Sequence, residues 1–320
     1  MKEWIRVCLF GFILFLIFLL DLCVDRVIIT PLAFLRNEED AYIFLNIRFP
    51  RVMTALLVGS MMGMCGTVMQ TITRNPLASP YILGISAGAG LGAALATFGI
   101  SIFAYFDIGL WAFIGAMTVS IPIFICIKRQ ASQSFALVLT GVAISSLCNA
   151  GIAIAQYFAT PDQVYQYIFW SMGDLQKSTW ESILKLSVAS IVGCVVFLFK
   201  SRDLDILSMG KSDAQSLGIS VEPLILTLSF VVCMQTAVSV SIVGIIGFIG
   251  LVAPHIARYF LGERSKYVIL GSMCIASSLL IMADFLSRYF TYPVRFPIGA
   301  ITAIFGAPFF IWIIYKKENE

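Results

Sequence analysis

Ten apolar runs divide the chain from end to end, at roughly 7–29, 51–72, 82–104, 109–127, 135–158, 179–200, 224–242, 244–261, 267–287 and 297–315. A helix of about twenty apolar residues crosses a hydrocarbon core about 30 Å thick. Inside lipid the backbone must satisfy its own hydrogen bonds, and continuous apolar runs do this as helices. Charge agrees: 12% of the residues are charged, against about 25% in soluble domains. The expected fold class is therefore an all-α polytopic membrane protein of about ten transmembrane helices, with 1–320 as a single membrane domain. The seventh and eighth runs part only at a glycine-rich turn near Gly244. The net charge of +3, with no basic cluster among aromatics, points away from nucleic acid.

The first run, MKEWIRVCLFGFILFLIFLLDLCVD, starts like a secretory signal. It lacks a small-residue cleavage site, and Asp21 and Leu22 do not suit a lipoprotein signal at Cys23. It is expected to stay as the first span. A cytoplasmic N-terminus puts Lys2, Arg6, Arg74, Lys128, Arg129, Lys200, Arg202, Lys211, Arg258, Arg264, Lys266, Lys316 and Lys317 inside, as the positive-inside rule asks. An even number of spans then brings the C-terminus inside as well. The eight cysteines contain no C-x-x-C pair and read as small hydrophobes, and the single histidine, His255, rules out a multi-histidine metal site. No cofactor is expected. A carboxylate near the bilayer midplane, which an ion-coupled carrier usually needs, is not found, so a secondary transporter is the weaker alternative.

The exceptions to the charge pattern lie at the outer turns. Arg48-Phe49-Pro50 and Arg295-Phe296-Pro297 each open a span, with Arg51 and Arg288 close by. Arginine beside the positive end of a helix dipole is unfavourable. Two readings stand: snorkelling and local pairs such as Asp284 with Arg288 at i, i+4, or the docking of an acidic partner or anionic ligand. Gly59, Gly63 and Gly66, then Gly84, Gly88 and Gly92, allow either close helix packing or a path walled by small residues. Between them, RNPLASP breaks the helix at Pro76 and Pro80, and irregular backbone there is expected to face a cavity mouth. The outer segment 159–178 is aromatic and suits a short interfacial helix.

The longest inner loop, 200–223, contains MGKSDAQSLG. Gly210-Lys211-Ser212 ends like a phosphate-binding loop, but that motif needs a glycine five residues earlier, where this chain has Asp205. The chain is thus not expected to be an ATPase. The loop mixes charges with Leu204, Ile206, Leu207, Ala214, Leu217 and Ile219, a pattern for one or two short amphipathic helices. It is either a solvated linker or a docking surface for a cytoplasmic partner.

The stretch RFPRVMTALLVGSMMGMCGTVMQTITRNPLASPYILGISAGAGLG (48–92) resembles the FecCD permeases, the membrane subunits of ABC importers for iron-siderophores, haem and cobalamin. VGIIGFIGLVAPHIARYFLG (243–262), ADFLSRYF (283–290) and FPIGAITAIFGAPFFIW (296–312) extend the resemblance to the C-terminus. It implies a type II ABC importer permease fold in a bacterial inner membrane. It also implies a second permease, identical or homologous, with two cytoplasmic ATPase subunits and an extracytoplasmic binding protein. Ferric siderophore is the expected cargo, with haem and cobalamin as alternatives. Carried onto this sequence, the resemblance makes Arg48, Arg51, Arg288 and Arg295 binding-protein docking residues. It makes Asn75 and Leu77 an inner gate, and Gly210, Ala214, Leu217 and Gly218 the ATPase coupling loop. The family's second gate segment falls near Gln133 and Ser134, where this sequence departs from the pattern. Pro254, His255 and Arg258 form a P-H-x-x-R motif read as a helix end.

Overall fold

The computed structural model describes residues 2–24, 38–99, 107–129, 134–289 and 296–318, and every regular element among them is helical. In chain order these are α1 (Lys2–Cys23), α2 (Glu38–Ile43), α3 (Phe49–Thr73), α4 (Ile85–Thr97), α5 (Ile108–Arg129), α6 (Ser134–Tyr157) and α7 (Pro161–Ser171). Then follow α8 (Trp180–Phe199), α9 (Ser201–Met209), α10 (Lys211–Ser216), α11 (Val221–Val243), α12 (Ile249–Leu261), α13 (Ser265–Tyr289) and α14 (Ile298–Glu318). A π-helical turn, Phe44–Arg48, runs α2 into α3, and a 3-10 turn, Pro80–Leu83, leads into α4.

Among the described residues, seven helices are long and apolar enough to cross a membrane: α1, the run ending in α3, α5, α6, α8, α11 and α13. Shorter apolar stretches in α4, α12 and α14 make up the ten expected from the sequence. The seventh and eighth runs divide differently from expectation. Helix α11 ends at Val243, and α12 begins only at Ile249. Thirteen residues of α12 rise only about 20 Å. The intervening 244–248 backbone covers part of the remaining depth, turning at Gly244 (φ +74) and Phe248 (φ +67). Such φ values are unusual outside glycine. Gly306 of α14 leaves room for the Phe248 ring, since a Cβ there would lie 2.5 Å from the Phe248 Cβ. The aromatic segment 159–178 does form a helix, α7, closed by a capping box between Thr160 and Gln163.

Helix α3 is the centre of the bundle, and most of its residues from Pro50 to Thr73 are buried. It packs chiefly on α13, and its glycines make that possible. A Cβ at Gly59 would meet the Ser277 backbone, and one at Gly63 would overlap the carbonyl of Ser272. Hydroxyls reinforce the seam: Thr67 Oγ1 bonds Ser272 Oγ at 2.9 Å, and Ser277 Oγ donates to the Leu56 carbonyl at 2.7 Å. Small residues with interhelical hydroxyl bonds are how helices associate where lipid supplies no hydrophobic drive. Gly66 abuts Gly250 of α12, while Gly88 and Gly92 of α4 abut α5 at Gly115 and Trp111. For these five the close-packing reading holds.

This makes a sharp comparison. Gly66→Ala drives a methyl into the Gly250 carbonyl, and such overpacking costs about 1–3 kcal/mol. Gly11→Ala in α1 meets nothing within 4 Å and removes a helix glycine worth about 0.5–1 kcal/mol. Thermal unfolding in detergent is expected to fall for the first variant and hold or rise for the second.

Candidate functional site

Three places in the bundle concentrate polar chemistry. The first is the end where α1 and α13 finish and α3 begins. Asp284 lies on α13, fully covered, and receives Arg51 in a fork: Nε at 3.0 and 2.9 Å from the two carboxylate oxygens and Nη2 at 2.6 Å from Oδ1. Arg288, one turn on, donates Nε to Asp284 Oδ2 at 3.1 Å and reaches Asp21 of α1 with Nη2. Arg48 donates Nη1 to the Leu22 and Cys23 carbonyls at 3.5 and 3.3 Å. Those carbonyls end α1, where four C=O groups lack helical partners and the dipole favours a cation.

So the local Asp284–Arg288 pair is present. Arg48, Arg51 and Arg288 are each at most 8% exposed and already hold internal acceptors. In this chain their direct work is to tie α1, α3 and α13 together. A partner's carboxylate would have to displace Asp284 to claim Arg51. Arg295 lies outside the described residues.

The second place is the turn at the far end of α3. Arg74 caps the helix in the left-handed region at φ 48. Asn75 Oδ1 then accepts the Leu77 N–H at 2.9 Å, an Asx turn that shapes the loop before Pro80. Asn75 is therefore the organiser, and Leu77, 44% exposed, projects from it. Gln133 lies outside the described residues.

The third place is the pair α9 and α10, at the same end as Leu77. Gly210 joins the two helices and Ala214 is fully covered, whereas Leu217 is 64% exposed. Gly218 ends α10 at φ +83 with open space where a Cβ would go. Its N–H bonds the Gln215 carbonyl while the Ile219 N–H bonds that of Ala214, both at 3.0 Å. This is a Schellman stop, which the left-handed glycine permits. Asp205, the residue that spoils the phosphate-loop pattern, has a different task. Its Oδ1 accepts the Ser265 N–H at 2.7 Å and so caps the first turn of α13.

Sequence reasoning missed the bonds that join these places to the bundle, among them Arg51–Asp284, Arg288–Asp21, Asp205–Ser265 and Arg258–Gln70. Gln70 of α3 donates Nε2 to the Leu251 carbonyl at 3.2 Å and accepts from Arg258 Nη1. The P-H-x-x-R motif thus anchors α12 to α3 rather than serving only as a helix end.

A bundle of apolar helices around one glycine-lined span, with a helical pair held outside it, defines a polytopic membrane permease. The chain belongs to the FecCD transport family, whose profile matches residues 13–316. The hemin transport system permease protein HmuU of Yersinia pestis is 34% identical over 288 residues, 89% of this chain and 86% of that protein. A probable iron chelatin transport system permease protein of Helicobacter pylori is 37% identical, covering 89% of this chain and 87% of its own length. A solved structure, described as an inward-facing conformation of a metal-chelate type ABC transporter, superposes with TM-score 0.87 at 27% identity. That likeness covers 97% of this chain and 99% of the other. The protein is a membrane-spanning permease of an ABC importer.

Proposed function

We propose that this chain carries ferric siderophores across a bacterial inner membrane, with both termini in the cytoplasm. Two separate ATPase subunits drive it, a second permease, identical or homologous, completes the path, and a binding protein delivers the cargo. The observation that carries the reading is the α9–α10 pair. A buried Ala214 seats it, while Leu217 and Gly218 remain available to a partner. The pair connects through Asp205 to the start of α13, a helix 25 residues long. An ATPase pressing on α10 would move α13 with it, and alternating access needs such a link between two states. The chain itself has no ATPase role in this scheme, because Asp205 stands where a phosphate loop needs glycine.

Asn75 and Leu77 form the inner gate, with Leu77 as its apolar plug. The binding protein docks at the opposite end, over the arginine cluster. Within that cluster Arg48, Arg51 and Arg288, with Lys177 beside them, face Asp21, Asp174 and Asp284, so one positive charge is left over even though each guanidinium is covered. Its potential steers acidic residues of the binding protein, an effect that salt screens. The cargo assignment rests on relatives named for iron chelatin and hemin transport.

Tagged purification from native membranes, followed by mass spectrometry of the associated proteins, tests the assembly. Recovery of a phosphate-loop ATPase is expected, and a preparation containing only this chain overturns it. Uptake of iron-labelled siderophore against labelled hemin, in cells lacking and regaining the gene, decides the cargo. Preference for hemin would replace the siderophore assignment.

A further inference from the structure

A polar cavity of about 420 Å³ lies between the ends of α3 and α12, the start of α13 and α9. Gln70, Arg74, Ser208, Arg258, Tyr259 and Glu263 are among the residues that line it. Its charge is unbalanced. Among the described residues, Arg74 makes no ion pair. Arg258 spends one donor on Gln70 Oε1, and its Nε stands 3.6 Å from Glu263, beyond hydrogen-bonding reach. Glu263 is 85% exposed in its side chain, so water screens it. A guanidinium has five N–H donors, and among the described residues Gln70 takes one of those on Arg258.

The surroundings are those of a membrane interface. Tyr259 is 75% exposed. Beyond it, Lys266 stands 5.1 Å over the Trp4 ring, and Trp4 packs edge-on against Tyr267. Aromatic and basic residues gathered at one depth mark the headgroup level, and basic pockets between spans on that side accept lipid phosphates.

We propose that this cavity is a phosphate site, filled from the membrane by the headgroup of an anionic phospholipid. The phosphate takes the spare donors of Arg258 and the charge of Arg74. Because the cavity touches Arg74 and Pro76 of the gate turn and Ser208 of α9, a bound headgroup staples that turn to the helices beside it. This consequence for gating rests on the functional reading above, and the site itself rests only on the membrane orientation given there.

The test uses the full chain in nanodiscs of mixed phosphatidylglycerol and phosphatidylcholine, with lipid retained through detergent extraction counted by mass spectrometry. Wild type is expected to retain phosphatidylglycerol preferentially. Arg74→Gln removes one charge, and Ser208→Glu sets a carboxylate in the cavity. Both positions are exposed, so the fold is kept, and each change is expected to weaken retention about five-fold. Equal retention of the two lipids by all three proteins overturns the site. A thermal shift with inorganic phosphate, without lipid enrichment, overturns the membrane source and places free phosphate there. If Ser208→Glu loses an associated ATPase subunit while its lipid is unchanged, the cavity serves an acidic side chain of that subunit and the proposal fails. The ATPase readout reports on coupling and the lipid readout on the site, so the two can fail separately.

Discussion

Asp284→Asn is expected to lower the stability of the permease by about 3–5 kcal/mol, the usual result of removing one partner from a buried ion pair. The carboxylate is fully covered and serves two arginines on different helices, Arg51 through a fork and Arg288 through Nε. Asparagine keeps the shape but strands the Arg51 guanidinium where water does not reach, and takes one acceptor from Arg288 while its bond to Asp21 remains. Thermal unfolding followed by size-exclusion chromatography in detergent measures the loss. The double variant Arg51→Gln, Asp284→Asn separates pairing from packing. It is expected to be less damaged than the sum of its parts by about 0.5–3 kcal/mol, the range for directly coupled neighbours. An Asp284→Asn protein within about 0.5 kcal/mol of wild type, as for an inconsequential surface change, would show that the network does not hold this end of the bundle.

Helix number and order were legible because the signal is long and local. About twenty apolar residues form a span whatever the rest of the chain does, and the ten runs became seven long and three short apolar helices. The stop and start around Gly244 were harder to place, since 244–248 is apolar and joins two apolar helices without being helical. Hydropathy does not distinguish such a stretch from a span. Among the charges, Asp284 and Arg288 could be paired on paper because four residues make one helical turn. The other bonds could not. Arg51 meets Asp284 across 233 residues, Arg258 meets Gln70 across 188, and Asp205 meets Ser265 across 60. One sequence offers no pattern for contacts so distant. Motif resemblance picks out Arg48 and Arg51 as docking residues, yet it is silent on whether a charge is already occupied; both stand within a helical run that begins at Glu38 rather than at its start. The two readings left open for the outer arginines are thus weighted by geometry toward internal pairing, with docking resting on their residual potential.

On the proposed scheme, the long-range bonds would carry a push at one membrane face to the other. Asp205 caps α13 at Ser265, and Asp284 lies nineteen residues further along that helix, about 28 Å at 1.5 Å per residue. A single rod therefore joins the α9–α10 pair to the arginine cluster. The α3–α13 seam of glycines and hydroxyls would let that rod carry α3 with it, and α3 ends at the turn proposed as the gate.

On this scheme α10 is the input, and its disruption is expected to give the largest functional loss. Ala214→Arg replaces a fully covered methyl with a charge that cannot stay buried unpaired, so α10 must lift from its seat. Membrane insertion should survive, because α9 and α10 are not among the candidate spans. Uptake is expected below about a tenth of the wild-type rate, since a few kcal/mol of lost docking exceeds a tenfold change. Gly218 divides the cause into shape and surface. Asparagine tolerates the left-handed backbone that Gly218 holds at φ +83, so Gly218→Asn should keep most uptake. Gly218→Glu pays about 1–2 kcal/mol of backbone strain and also thrusts a charge into the open space where the ATPase would sit. Uptake in whole cells, normalised to membrane level by immunoblot, with ATPase recovery in parallel, reads both effects. Normal uptake by Ala214→Arg at normal abundance would make α10 a passive linker, and the drive to α13 would then have to enter through α9 alone.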